Sequence, residues 1–504
     1  MGKISILIRI LAVQLLLIQG LPSIASPENN FRCFYFNVNG KDNNSGSFRH
    51  PFKSLEKLRN IALRPGDKIY LRGGQIFHGS IQLDSLSIGN KIHPIHIESY
   101  GKNKAIIDAK DSLGIKLYEG AYIIIENLRI QGSGRKSGNL RDGICIKKSH
   151  HISLKRLEIS GFQKSGVFVF ASHHIQINHI RSFENGSAGI TVEGPYGKRE
   201  SHDIKILNSR AENNPGDPSN LKNHSGNGIV VGNCKNVLID HCTATNNGWD
   251  MPRKGNGPVG IWAYEADYII IQHCLSYLNK TSVGGWDGGG FDLDGGVTHS
   301  LIQYCFSYKN QGAGYCIFQY SGAKPWHDNI FRFNISEDDG NATDSKSGLY
   351  IWNSSMDENQ LMNCQVYGNI IFNSLGSAIC FSETSKCKGI VFGYNVFVAK
   401  DSLIKGEYMG ETQFWNNDWW SLEKGFHSNQ VFNMKNWAKK TGKEIRGGIL
   451  TGLNKNPEFL NPGKSHLNSA NQLSSFKNYL LSPNSILRSK PVFKNYHGIR
   501  GIKL

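Results

Sequence analysis

The sequence predicts an all-β fold, a right-handed parallel β-helix (solenoid) with an N-terminal capping helix. Three observations predict it. First, a small residue followed by an alternating apolar strand recurs at Gly143, Gly166, Gly189, Gly228, Gly260, Gly290, Gly314, Gly348 and Ala378. The spacing stays near the shortest interval of 23 residues, lengthened by insertions. Second, a polar turn and another short strand follow each copy, as at His174–Ile177, Asn236–Ile239 and Tyr268–Ile271. Third, a bend beyond that second strand repeats one position: Leu128, Leu157, Ile180, Ser209, Cys242, Cys274, Cys305, Asn334, Asn369 and Asn395. No such repeat can bury its apolar side alone, so stacking is obligatory. The leucine spacing of a leucine-rich repeat is absent.

Composition agrees. The chain has 504 residues, 56 of them Gly. Residues 1–26 read as a secretory signal: Lys3 and Arg9, the apolar run Ile10–Ile18, then small residues around Ala25. No later stretch has the run of about eighteen apolar residues that a spanning helix needs. The expected location is therefore secreted or periplasmic, with no membrane partner. The formal charge of +17 admits an anionic partner. Export and the lack of an interleaved basic–aromatic motif argue against nucleic acid. The expected partner is a polysaccharide, possibly anionic, met by a monomer. The ten Cys show no CxxC pair and no zinc spacing. Stacked Cys242, Cys274 and Cys305 read as core filler, with a disulfide left open.

The remaining chain divides into an N-terminal cap with the first coils (27–118), the solenoid core (119–400) and C-terminal coils with a cap (401–504). Pro51–Ala62 has apolar residues at helical spacing (Phe52, Leu55, Leu58, Ile61) and suits a plug over the open end. Residues 401–504 lose the repeat and carry Trp415, Trp419, Trp420 and Trp437, the mark of closing coils that fold back along the solenoid. Around the helix, Gly40, Asp42, Asn44, Gly46, Pro51, Phe52, Ser54 and Leu55 resemble the opening segment of secreted bacterial proteins of the pectate-lyase-like superfamily, with Ser47 where Thr is usual. Asn456-Pro-Glu-Phe459 and Leu481-Ser-Pro483 are similar to that superfamily's closing pattern. The resemblance implies a β-helix and a carbohydrate substrate. These end motifs carry no chemistry.

Chemistry is expected in Gly284–Gly296, GGWDGGGFDLDGG. In a strand Phe291 and Leu293 face one way and Asp292 and Asp294 the other. If the apolar pair is core, the acids stand on the outer wall. Coils in register then flank them with Trp262 and Tyr264 on one side and Phe318, Tyr350 and Trp352 on the other, an aromatic lining suited to sugar rings. The bland alternative is a second small core under covering loops.

Alternate strand positions lie about 6.6 Å apart, within the range for paired glycosidase carboxyls. Two acids so close push one pKa up, giving a proton donor beside a base or nucleophile. The favoured reading is hydrolysis by Asp292 and Asp294, assisted by Asp287, with no cofactor. It is similar in logic to polygalacturonase-type β-helix hydrolases, although their Asp-Asp pair and Gly-His motif are missing. A rival reading gives the acids to calcium. The superfamily resemblance implies such lyases, with Arg253 or Lys254 (or Lys280) removing a proton. A third reading is a glycan-binding solenoid without catalysis. Glu193 shares the Asp294 column but lies three coils away, too far to pair. His327, Asp328, Glu265 and Arg332 are secondary candidates for the cleft border.

Overall fold

The computed structural model describes residues 31–341, 347–384, 386–400, 402–406, 409–423, 426, 428 and 433–490; the signal expected at 1–26 lies outside them. Strands stack in three parallel sheets of 14, 12 and 13 strands. Each coil gives one strand to each sheet, so a strand's neighbours are its counterparts one coil before and after. The glycine-led strands form the 12-stranded sheet. The strands that follow them, such as His173–Asn178 and Asp267–Gln272, form the 14-stranded one.

Alternation does what its period dictates. Ile144, Val167, Ile190, Ile229, Ile261, Phe291, Tyr315, Leu349 and Ile379 stack in register inside the solenoid, all almost fully buried. The leading glycine is a steric requirement. A Cβ on Gly290 would meet Ser307 Oγ at 2.1 Å and the Gly314 carbonyl at 2.8 Å.

Polar ladders close the interior bends. Asn185 donates through Nδ2 to Asn214 Oδ1, Asn214 to Asn247, Asn247 to Asn279 and Asn279 to Asn310, at 2.9–3.2 Å. Asn310 ends this ladder by donating to Asp339 Oδ1 at 2.8 Å. A second ladder runs Asn334, Asn369, Asn395, Asn417 and ends on Glu444 Oε1 at 2.7 Å. Both stop at a carboxyl because the last amide N–H needs an acceptor that asks for nothing further. The cysteine stack continues into the second ladder: the Cys305 N–H donates to Asn334 Oδ1 at 3.0 Å. All ten cysteines are free.

The ends differ in kind. The helix expected over Pro51–Ala62 is a 3-10 segment, Leu55–Asn60, packed against Ile81–Leu83, the first strand of the 12-stranded sheet. Leu55 and Leu58 enter the core three residues apart, the 3-10 repeat. At the far end Trp419 and Trp437 pack with Phe414 and Phe426, Trp437 carried on the helix Met434–Thr441. Residues 459–487 then return along the 13-stranded sheet. Phe459, Leu473, Phe476, Tyr479 and Leu487 bury Phe306, Tyr308, Ile335 and Phe372. Tyr479 OH donates to Glu337 Oε2 at 2.7 Å, and Thr243 Oγ1 accepts from the Ala470 N–H at 3.0 Å. This tail occupies the outside of one sheet and leaves those of the other two for function. Among the described residues no helix is long and apolar enough to cross a membrane.

Candidate active site

Gly289–Leu293 seats Phe291 and Leu293 in the core at 0% exposure, which turns Asp292 outward. Its register partners are Trp262 and Cys316, and Cys316 pairs onward with Tyr350. Asp294 follows Leu293, whose partners are Ala263 and Ile317, and so continues the column of Tyr264 and Phe318. Asp287 sits in the preceding turn with a left-handed backbone (φ 62°) beside Gly288, a conformation that Asp tolerates.

The three acids are not equivalent. Asp292 is 2% exposed, and its Oδ1 has no hydrogen-bond partner. Burial first, then the charges of Asp294 and Asp287, push its pKa well above the carboxylate range. Asp292 therefore holds its proton more tightly than an exposed carboxyl does. Asp294 and Asp287 are only partly buried, one on each side of it in sequence. Asp294 Oδ1 accepts from the Gly295 N–H at 2.7 Å. Burial raises it to about 7 against that bond, with Asp287 and Glu265 adding to the rise. Asp287 Oδ2 accepts from the Gly257 N–H at 2.7 Å. Burial raises it to about 6, opposed by that N–H and by the Arg253 guanidinium. Arg253, half-buried, makes no ion pair among the described residues. Each acid therefore has one backbone donor, and they differ in their charged neighbours: a cation at Asp287, carboxylates at Asp294.

Two aromatic clusters wall the trio, and both depart from the expected open platforms. Trp262 is 4% exposed: His224 lies edge-on to it at 4.8 Å, and its indole N–H donates to Asn227 Oδ1 at 3.0 Å. The covering insertion is pinned by Lys164 to the fully buried Asp217 at 2.5 Å. Phe318 is also buried, beneath Tyr350 and Trp352, whose rings meet it at 5.4 and 5.7 Å. The small-core alternative thus holds for Trp262 and Phe318. Tyr264, Tyr350 and Trp352 remain half-exposed.

Beyond the trio, Glu265 is buried against the backbone of Gly296, with Oε1 accepting from the Lys324 N–H at 2.9 Å and Oε2 unpartnered. Tyr320 lies over Gly295. Glu193 is tied back to the site by Tyr264. Lys254 is exposed, its stem beside Gly284. The other secondary candidates fall elsewhere. His327 and Asp328 join His299 beside the 14-stranded sheet, and Arg332 bonds Gln303 and Tyr367 there. The loop after Phe318 passes through the buried Trp326 and carries these residues round the corner.

A groove of about 660 Å³ opens on the same outer face five coils toward the N-terminus, lined by Lys116, Lys147, Lys164, Arg141, Asp142 and Cys145 among others. Lys116 and Lys147 lie over the rings of Tyr118 and Phe168. The sequence reading missed its basic character. Among the described residues, the groups of three or more ligand atoms that converge within 4.8 Å lie along the 14-stranded sheet, and the aspartate trio is not one of them.

A parallel β-helix with a carboxyl cluster on one outer face is the class that fold and site define. Residues 34–335, more than half of the chain, match the family model "Pel9A-like, right handed beta helix region", and the chain belongs to that family. Among solved structures it is similar to the GH136 lacto-N-biosidase from Eubacterium ramulus, with a TM-score of 0.52, 18% identity, and coverage of 71% of this chain and 68% of that one. It is also similar to the Agl-KA catalytic domain, with a TM-score of 0.53, 12% identity, and coverage of 78% and 69%. No curated protein matches.

Proposed function

We infer that the chain is a secreted polysaccharide-degrading enzyme that hydrolyses glycosidic bonds, with Asp287 and Asp294 as its working carboxyls. One observation carries the reading. Two partly exposed carboxyls sit on the same outer face, both raised by burial but unequally. Arg253 opposes the rise at Asp287 while Asp287 and Glu265 add to it at Asp294, and the buried Asp292 lies between them in sequence. Burial of Asp292 supports Asp287 and Asp294 as the pair over Asp292 and Asp294, the sequence-based choice. Asp294, among carboxylates, keeps its proton and gives it to the leaving glycosidic oxygen. Asp287, with Arg253 and the Gly257 N–H beside it, carries the negative charge and either attacks the anomeric carbon or takes a proton from water. The protonated Asp292 adds no third charge. Tyr350, Tyr264 and Trp352 offer ring faces to the sugars, and the basic groove favours an anionic chain. Similarity to a glycoside hydrolase supports the substrate class.

Arg253 favours a second reading, β-elimination on a uronate. A guanidinium without an ion pair near the acids supports that reading. The unpartnered Asp292 Oδ1 suits a hard cation such as calcium, although the three carboxyls would have to draw together to bind it.

The test is a polysaccharide panel digested with wild type, Asp287→Asn, Asp294→Asn and Asp292→Asn. Hydrolysis gives saturated reducing ends, insensitive to chelator. Asp287→Asn and Asp294→Asn should each lose about 10²–10⁴-fold in rate, while Asp292→Asn keeps most activity. Products absorbing in the ultraviolet, abolished by chelator, would replace hydrolysis with elimination. Retention of glycan without products would make the chain a binding protein.

A further inference from the structure

The 14-stranded sheet carries paired imidazoles that the acid cluster does not use. His150 and His151, then His173 and His174, open successive strands, and His202 and Asp203 take the same places one coil later. His150, His173 and His202 are in register. The second residue of each pair is left-handed, with φ of 55°, 54° and 55°. That kink turns each side chain back beside its neighbour. His150 and His151 meet Nδ1 to Nδ1 at 2.9 Å, His173 and His174 at 2.8 Å, and His202 Nδ1 meets Asp203 Oδ2 at 2.7 Å. The rings stack between coils: His173 lies on His202 at 4.8 Å with planes 1° apart, and His151 on His174 at 4.5 Å.

We propose that His174, His202 and Asp203 form a site for a divalent transition metal, fed by the imidazole stack beside it. One ligand atom from each lies within 4.8 Å of the other two. Two ligands on one metal at about 2.0–2.1 Å stand about 2.9–3.4 Å apart, so a small closing movement completes the set. Two imidazoles and a carboxylate match zinc, nickel or copper rather than calcium. Ions can enter, since His174 and Asp203 are exposed. The array is also bounded: Lys235 and Asn236 follow His202 and Asp203 in the next coil, and Ala121 and Tyr122 precede His150 and His151. Other converging groups exist, such as Asp240 with His241 and His273. None of them sits in a run of five imidazoles on consecutive coils.

The experiment is calorimetric titration of the chelator-treated full chain with zinc chloride, beside copper(II) electron paramagnetic resonance. Wild type should bind zinc saturably below about 10 μM, with imidazole nitrogen splitting in the copper spectrum. His174→Ala and His202→Ala should each lose one equivalent, and Asp203→Asn should weaken that equivalent about tenfold. His50→Ala, an exposed histidine elsewhere, should keep every equivalent. An unchanged stoichiometry in the His174→Ala/His202→Ala double variant would overturn the site. So would the absence of saturable binding to wild type below about 1 mM. Both changes are on the surface, and circular dichroism matching wild type shows that a lost equivalent is a lost ligand.

Discussion

Tyr264 donates its phenol O–H to Glu193 Oε2 at 2.5 Å, reaching back over Gly232, the residue between them in the column. A Cβ on Gly232 would stand 2.3 Å from the ring. The missing side chain thus lets an aromatic from one coil close a bond to an acid two coils away. It also fixes the ring that walls Asp294. Gly232→Ala should force Tyr264 outward and cost about 1–3 kcal/mol, seen as a lower Tm. Tyr264→Phe, which fits the space, should cost only the hydrogen bond, about 1–2 kcal/mol. Equal losses in the two variants would show that the bond, and not the packing, is what Gly232 protects.

The settings of Asp287 and Asp294 set the pH profile. If Asp287 works ionised, kcat/KM rises with pH through about 6, and if Asp294 works protonated, it falls above about 7. Arg253 depresses Asp287, so Arg253→Met should move the rising limb to higher pH and leave the falling limb in place. The loss of activity is then larger at pH 5 than at pH 7. Rates across pH 4–9 on a cleaved polysaccharide check this. If Arg253 is instead the base of an elimination, its loss abolishes activity at every pH.

Much of this arrangement is legible before any coordinates. The alternation in Gly290-Phe-Asp-Leu gives the strand, its inner pair and its outer acids, because a two-residue period allows only one assignment once a core exists. What the spacing leaves open is depth. Trp262 becomes covered through an insertion anchored by Lys164 to Asp217, a contact spanning 53 residues that no local pattern announces. The Asn185–Asn310 ladder escaped notice because an Asn after a short strand reads as a turn residue. It is a ladder only because successive coils align. Sequence offers His327 and Asp328 as secondary candidates for the cleft border only because they follow the Phe318 strand closely. In a solenoid, closeness along the chain carries a residue round the corner to the next face.

Burial of the acids makes stability depend on pH with a definite sign. Asp287, Asp292 and Asp294 hold their protons more tightly folded than unfolded. The stability they lend is complete below the unfolded value of 3.8 and is lost as pH rises through about 6 for Asp287 and about 7 for Asp294. Asp292→Asn keeps the shape and removes the titration, so its Tm should exceed that of wild type at pH 8 and approach it at pH 4. In a chain of 504 residues each 1 kcal/mol relieved should appear as about 1 °C. A difference that does not vary with pH would mean that Asp292 is not held protonated in the folded chain.

The basic groove yields the last prediction. Lys116 and Lys147 face outward on the sheet that carries the acids, six and five coils from Asp292, each ammonium over a ring. At about 4.8 Å per coil the groove starts roughly 24 Å from the acids, the reach of several sugar units. A charge there can act on a long substrate without touching the chemistry. Lys116→Glu with Lys147→Glu should therefore raise KM for a long uronate or sulfated glycan about tenfold or more at low salt, with kcat held. Added salt should shrink the effect, because exposed charges are screened beyond about 10 Å at 0.1 M. Oligosaccharides too short to span the distance should show no change. A kcat loss on short and long chains alike would mean that the substitutions disturb the coil stack.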